Sequence, residues 1–79
     1  SPKAYVSIDS LLSRKSLPFI VLLDEIEDPQ NLGAIIRVAE AAGVDGLVLP
    51  ERRSAGLTDT VFRVSAGAAE HLKVARVKN

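Results

Sequence analysis

Three short apolar segments, separated by two stretches with helical patterns, constrain the fold of this chain more than any other feature. The segments are residues 19–23, 46–49 and 73–77. The first has no polar alternation, which is typical of a strand buried on both faces. The third alternates and is expected nearer a sheet edge. The order strand, helix, strand, helix, strand predicts an α/β fold, a parallel βαβαβ sheet with right-handed crossovers.

The first helical stretch has clear start and stop signals. Asp28 is a good N-cap, Pro29 suits the first helical position, and Gly43 is typical of a helix C-terminus. An apolar stripe with three- and four-residue spacing predicts one buried face between these ends. Its members are Leu32, Ile35, Ile36, Ala39 and Ala42.

A second helix is predicted to begin at Thr58 or Asp59, either of which can cap it, and to run to about Ser65. Residues 66–69 are expected to bend or end this helix because they include a Gly.

The first 18 residues are interpreted as a lead-in with one short helix. Ser7 is a suitable N-cap for this helix, and Pro18 cannot continue it. We therefore divide the chain into a lead-in, residues 1–18, and a domain, residues 19–79.

Composition and charge exclude several classes of protein. The chain has no Cys and one His, so neither a disulfide framework nor a Cys- or His-rich metal site is expected. Its apolar runs are shorter than the roughly 18 residues of a membrane span, and no secretory signal is visible. We therefore expect a cytoplasmic protein. The net charge is zero, so any contact with nucleic acid must come from a local basic patch.

Two features lead us to expect that these residues belong to a longer protein. The sequence contains no Met, not even at position 1. In addition, a parallel sheet needs cover on both faces, whereas the sequence offers only two substantial helices. Further strands and helices are therefore expected to follow.

The predicted sheet indicates where a ligand would bind. In open α/β sheets, ligands bind outside the carboxyl ends of the strands. In this chain, the loop 24–28 and the start of the first helix are expected to lie at that place. Gly33 and Arg37 lie one helical turn apart on the same face. A ligand can approach the bare Gly33 while Arg37 makes bidentate hydrogen bonds to a phosphate. Alternatively, Gly33 only permits close helix packing, and Arg37 is a solvated partner of Glu40.

The run from Asp28 to Arg37, DPQNLGAIIR, resembles the first motif of the SpoU/TrmH-type RNA 2′-O-ribose methyltransferases, a family of the SPOUT class. Residues 23–24, 39 and 42–46 extend this resemblance. Residues 64–72, VSAGAAEHL, resemble a second recurrent stretch, and ribosomal RNA guanosine methyltransferases are the most similar members.

The resemblance implies an α/β fold with a C-terminal trefoil knot, and a homodimer. It further implies S-adenosylmethionine as methyl donor and a ribose 2′-hydroxyl as acceptor, in ribosomal RNA rather than tRNA. Asn31 and Arg37 match the family's functional Asn and Arg. The family's second and third motifs, which supply the knot and most of the cofactor pocket, are absent from this sequence. No cofactor-binding residue is therefore assigned, and the segment alone is expected to be inactive.

Several residues have a second interpretation. Arg52 and Arg53 are predicted to contact RNA together with Arg37, but a charge pair in a loop can simply be solvated. Asn31 can hydrogen-bond back to the helix cap instead of acting in catalysis. His71 is interpreted as a half-buried structural residue. The acidic residues 24–28 are interpreted as a solvated loop rather than as a metal site.

Two functions therefore remain in competition. The first is an S-adenosylmethionine-dependent RNA 2′-O-methyltransferase, with Arg37 orienting the substrate. The second is a non-enzymatic α/β module that binds RNA or protein. The G-x-S-x-G pattern of hydrolases and the G-x-G-x-x-G pattern of dinucleotide-binding proteins are both missing.

Overall fold

The computed structural model describes residues 5–13 and 16–78, and these contain a three-stranded parallel sheet. Its strands are Ile20–Leu22 (β1), Gly46–Pro50 (β2) and Lys73–Val77 (β3), in the order β1-β2-β3. Val21 pairs with Leu47, which in turn pairs with Val74. The predicted parallel βαβαβ architecture is therefore confirmed.

Two helices cover the first face of the sheet. They are Pro29–Ala41 (α2) and Asp59–Val64 (α3), and a 3₁₀ turn at Ala68–Glu70 follows α3. The core between these elements and the sheet is a continuous apolar cluster. Its fully buried large side chains are Leu32, Ile36, Leu47, Leu49, Val61 and Val74.

A short helix from the lead-in, Ile8–Ser13 (α1), packs on the second face. The Ser7 hydroxyl accepts the Ser10 backbone N–H at 3.1 Å, which confirms the predicted cap. Leu11 is fully buried against Val48 and Ala75. It reaches the sheet because Gly46 has no side chain: a Cβ there would lie 2.6 Å from a Leu11 methyl carbon. The domain boundary at residue 18 stays a prediction.

The expectation that the first strand is buried on both faces is wrong. Phe19 is 51% exposed and Leu22 is 74% exposed. The reason for the exposure of Leu22 is the placement of the covering helix: Leu11 of α1 packs on Val48 and Ala75, and leaves Leu22, the partner of Val48 in β1, uncovered. The strand buried on both faces is β2, whose residues Gly46 to Leu49 are all buried. The prediction that β3 lies at an edge is confirmed.

The helices α2 and α3 end in the same way. In α2, the Gly43 N–H binds the Glu40 carbonyl at 3.2 Å and the Val44 N–H binds the Ala39 carbonyl at 3.1 Å. This is a Schellman motif, with Gly43 at φ 83°. The same pair of bonds ends α3, but there Ala66 occupies the left-handed position, at φ 56°.

Gly33 sets the distance between α2 and α3. It is buried, and a Cβ at this position would lie 2.7 Å from both the Cβ and a methyl carbon of Val64 and 3.2 Å from the Ser65 nitrogen. The Val64 side chain and the Ser65 backbone therefore occupy the space that a ligand would need. The packing interpretation of Gly33 accounts for its place in α2.

The longest described helix, α2, has 13 residues. Within residues 5–13 and 16–78, no helix is long and apolar enough to span a membrane.

The two Schellman motifs make a matched test of backbone strain. We expect Gly43→Ala to lower the free energy of unfolding by about 1 kcal/mol, because Ala is strained at a left-handed φ. Ala66→Gly is expected to raise it by about 0.5 kcal/mol, because relief of strain exceeds the entropy cost of Gly. Urea unfolding followed by circular dichroism measures both. A less stable Ala66→Gly variant would contradict the assigned strain.

We expect Gly33→Ala to lower the free energy of unfolding by up to about 2 kcal/mol. Overpacking against Val64 costs about 1–3 kcal/mol, and a gain in helix propensity of about 1 kcal/mol offsets part of this cost. Gly56→Ala is the control, since its Cβ would meet only the Tyr5 hydroxyl at 3.6 Å, an ordinary contact. The same urea experiment compares the two, and a stabilised Gly33→Ala variant would refute the close packing.

Candidate functional site

The carboxyl ends of the strands meet at one edge of the sheet, as the parallel pairing requires. Residues 23–28 follow β1, residues 51–58 follow β2, and Lys78 follows β3. The first two of these segments each contain a non-glycine residue in the left-handed region, Glu25 at φ 55° and Arg53 at φ 53°. Such conformations persist only where the surrounding contacts maintain them, and they cluster at functional sites.

The start of α2 is fixed locally at this edge. A carboxylate oxygen of Asp28 accepts the Gln30 N–H at 2.9 Å, and the Asp28 carbonyl accepts the Leu32 N–H at 3.0 Å. Pro29 occupies the first position of the helix. Asp28 and Pro29 therefore have the roles that the sequence predicts.

Asn31 lies in the first turn of α2, and its side chain is exposed. Among the described residues it makes no hydrogen bond back to the cap, so Asp28 alone supplies the side-chain cap. The Asn31 amide is left available at the carboxyl edge of the sheet.

Arg37 is exposed and lies farther from this edge. It lies six positions after Asn31, which corresponds to about 9 Å along the helix axis and about 120° around it. The structure therefore does not bring Asn31 and Arg37 together. Arg37 borders an open depression of about 370 Å³ between the second half of α2 and the end of α3. The other lining residues are Glu40, Ala41, Ser65, Ala66, Gly67, Ala68 and His71.

The Arg37 side chain forms no ion pair with Glu40 in the part of the chain that the structure describes. His71 is exposed, so the interpretation of His71 as a half-buried residue is wrong. It follows the 3₁₀ turn, whose own core contacts are made by Ala68 and Ala69. The depression beside Arg37 thus presents both a guanidinium and an imidazole to solvent.

Arg52 and Arg53 lie at the carboxyl edge in the loop after β2, and both are exposed. Sequence reasoning missed the two other exposed cations near the same end of the sheet, Arg76 and Lys78. These two cations could have been found from the sequence, because both lie at the C-terminal end of β3 and that strand was predicted correctly.

Charge is divided along this edge. The segment after β1 has four exposed carboxylates, those of Asp24, Glu25, Glu27 and Asp28. The ends of β2 and β3 have the four cations Arg52, Arg53, Arg76 and Lys78, besides the exposed Glu51. A polyanion would be repelled at the first segment and attracted at the second. Within the described residues, no three His, Asp or Glu side chains are grouped so as to hold a metal ion.

An open depression of about 280 Å³ lies between these two charged regions. Its lining is apolar except for Asp24, and consists of Leu22, Leu23, Asp24, Val48, Leu49, Pro50 and Val77. The Asp24 carboxylate can accept hydrogen bonds from an ammonium or a ribose hydroxyl. No side chain of the lining donates to a carboxylate, such as that of S-adenosylmethionine. The described residues do not complete a site for this cofactor.

Both a protein family and individual proteins of known sequence are similar to this chain. Residues 18–79 match the SpoU rRNA Methylase family. An uncharacterized tRNA/rRNA methyltransferase of Synechocystis is 57% identical over 72 residues, which make up 91% of this chain and 19% of that protein. The chain thus spans about a fifth of the length of this curated relative.

Two solved structures have the same fold. The AdoMet-bound rRNA methyltransferase of Sinorhizobium meliloti has a TM-score of 0.80 and 27% identity, covering 98% of this chain and 29% of that one. The SpoU methyltransferase AviRb of Streptomyces viridochromogenes, in complex with AdoMet, has a TM-score of 0.75 and 32% identity, covering 92% and 27%. The family match extends over most of the chain, and the described fold agrees with it. This chain belongs to the SpoU rRNA methylase family.

Proposed function

We propose that the full-length protein is an S-adenosylmethionine-dependent RNA 2′-O-ribose methyltransferase. The observation that carries this proposal is the match of residues 18–79 to the SpoU rRNA methylase family. Two methyltransferases with the same fold have been crystallised with AdoMet, which supports this cofactor as the methyl donor. Because the described residues do not complete a cofactor site, the segment alone is inactive in this proposal.

Arg37 orients the RNA in the proposed reaction. A ribose 2′-hydroxyl is a poor nucleophile, so its oxygen must be held in line with the methyl group, at about 3 Å. A guanidinium keeps its protons in proteins, and its planar fork suits bidentate contact with a phosphate. The exposed Arg37 side chain, unpaired with Glu40, is available for that contact. Its role is therefore positioning through a substrate phosphate rather than removal of the hydroxyl proton.

Asn31 acts on a different part of the RNA. Its exposed amide can both donate and accept hydrogen bonds at the carboxyl edge of the sheet. Since it lies about 9 Å along the helix from Arg37, the two side chains hold separate groups of the substrate. Together they restrict both the position and the direction of the bound strand.

The substrate in this proposal is ribosomal RNA rather than tRNA. The matched family is named for rRNA, and the structural relative from Sinorhizobium meliloti is an rRNA methyltransferase. The Synechocystis relative is named for both RNAs, so the assay must include both. We further propose that the full-length protein is a cytoplasmic homodimer, as the family resemblance implies.

Methyl transfer by the full-length protein tests this function. With labelled S-adenosylmethionine, we expect label at a ribose 2′-oxygen of ribosomal RNA and much less in tRNA. Arg37→Lys should reduce turnover at least about tenfold, because an ammonium cannot make the bidentate contact. Arg63→Lys, at an exposed position of α3, is the matched control. Normal turnover of Arg37→Lys would refute bidentate positioning, and RNA binding without methyl transfer would favour a binding module.

The double variant Arg52→Ala/Arg53→Ala tests the basic part of the carboxyl edge. We expect weaker RNA binding and a plot of log K against log salt that is less steep by about 1.5 to 2, because two phosphate contacts are lost. Filter binding at several salt concentrations measures this slope. Lys73→Ala, at the opposite end of β3, removes one charge and should leave the slope unchanged. An unchanged slope in the double variant would remove this RNA contact.

A further inference from the structure

The loop that carries Arg52 and Arg53 is held at both ends by residues far away in the sequence. We call residues 51–57 the arginine loop. At its start, the Glu51 carbonyl accepts a hydrogen bond from the Arg76 guanidinium at 3.2 Å. At its end, the Leu57 N–H donates to the Tyr5 hydroxyl at 3.1 Å. Arg76 and Tyr5 thus fix opposite ends of one short segment.

The two residues that hold the loop also contact each other. The Arg76 guanidinium lies over the Tyr5 ring, 5.0 Å from its centroid, which is a cation–π geometry. The Tyr5 segment is tied to β3 in turn, because the Val6 N–H donates to the Val74 carbonyl at 2.9 Å. Tyr5, Arg76 and the two loop ends therefore form one connected unit, which we call the Tyr5–Arg76 clamp.

Further backbone contacts tie the arginine loop to the rest of the domain at two more positions. The Glu51 N–H donates to the Val77 carbonyl at 2.8 Å, and the Ala55 N–H donates to the Ile26 carbonyl at 2.7 Å. Residues 52–54 lie between these two ties. Arg53 there adopts the left-handed φ of 53°, a conformation that persists only where neighbouring contacts impose it.

We propose that Tyr5 and Arg76 are positioning residues that hold the arginine loop in the conformation that binds RNA phosphate. This inference rests on the proposed function, since it assumes that Arg52 and Arg53 bind RNA. Ordering a flexible loop during binding reduces affinity, and the clamp removes part of that cost before RNA arrives. The lead-in thus contributes to substrate binding without touching the substrate.

The Tyr5 hydroxyl group distinguishes the role of Tyr5 in the clamp from the ordinary packing of its ring in the core. Tyr5 also packs against the main apolar cluster, and Tyr5→Phe keeps this ring and its contact with Arg76. It removes only the hydroxyl that accepts the Leu57 N–H. Thr58→Val is the matched control, since the Thr58 hydroxyl accepts the Val61 N–H at 3.3 Å and belongs to the cap of α3 rather than to the loop.

The experiment measures RNA affinity and amide hydrogen exchange in full-length protein, with ribosomal RNA as the probe. We expect Tyr5→Phe to raise the Kd about three- to tenfold without changing the salt slope, because both loop arginines remain. Amides of residues 52–57 should exchange faster while those of β2 keep their protection. Thr58→Val should leave the Kd within about twofold of wild type.

The decisive arm repeats Tyr5→Phe in the Arg52→Ala/Arg53→Ala background. We expect the effect on Kd to disappear there, because the clamp acts through these two side chains. An equal effect in both backgrounds, or unchanged Kd and loop exchange in Tyr5→Phe, would overturn the clamp alone. An unchanged Kd in the Arg52→Ala/Arg53→Ala variant itself would overturn the RNA interface of the proposed function, and the clamp's role with it.

Discussion

The double burial of β2 is the constraint on which the rest of this structure depends. A strand that is apolar on both faces must be covered from both sides, and here two different parts of the chain do so. The helices α2 and α3 cover one face, while α1 from the lead-in covers the other through Leu11. Close approach is possible because Gly33 and Gly46 stand where a side chain would collide with the facing element.

Local signals in the sequence were sufficient for the order and ends of the elements. Asp28, Pro29 and Gly43 each act within a few residues of their own position, so their roles could be predicted without knowledge of the fold. The exposure of Leu22 could not be predicted in this way, because it depends on which strands α1 covers, and α1 packs on β2 and β3. A run of apolar residues looks the same in a covered strand as in one with an open face.

The candidate site was predictable to a similar extent. Its location at the carboxyl edge follows from the topology, and Asn31, Arg37, Arg52 and Arg53 could be nominated from resemblance and charge. The distance between Asn31 and Arg37 and the burial of Gly33 against Val64 required coordinates. The contact between Tyr5 and Leu57 joins residues 52 positions apart, and no pattern of spacing indicates such a pair.

The open side of β1 has a consequence for how this chain behaves in solution. Phe19, Val21, Ile35 and Val38 line an apolar groove beside this strand, and the net charge of the chain is zero. Exposed apolar surface of this kind favours association when a net charge of zero gives no repulsion to oppose it. The solubility of these residues on their own is therefore expected to be lowest near neutral pH and to rise on either side of it, where every copy gains charge of the same sign.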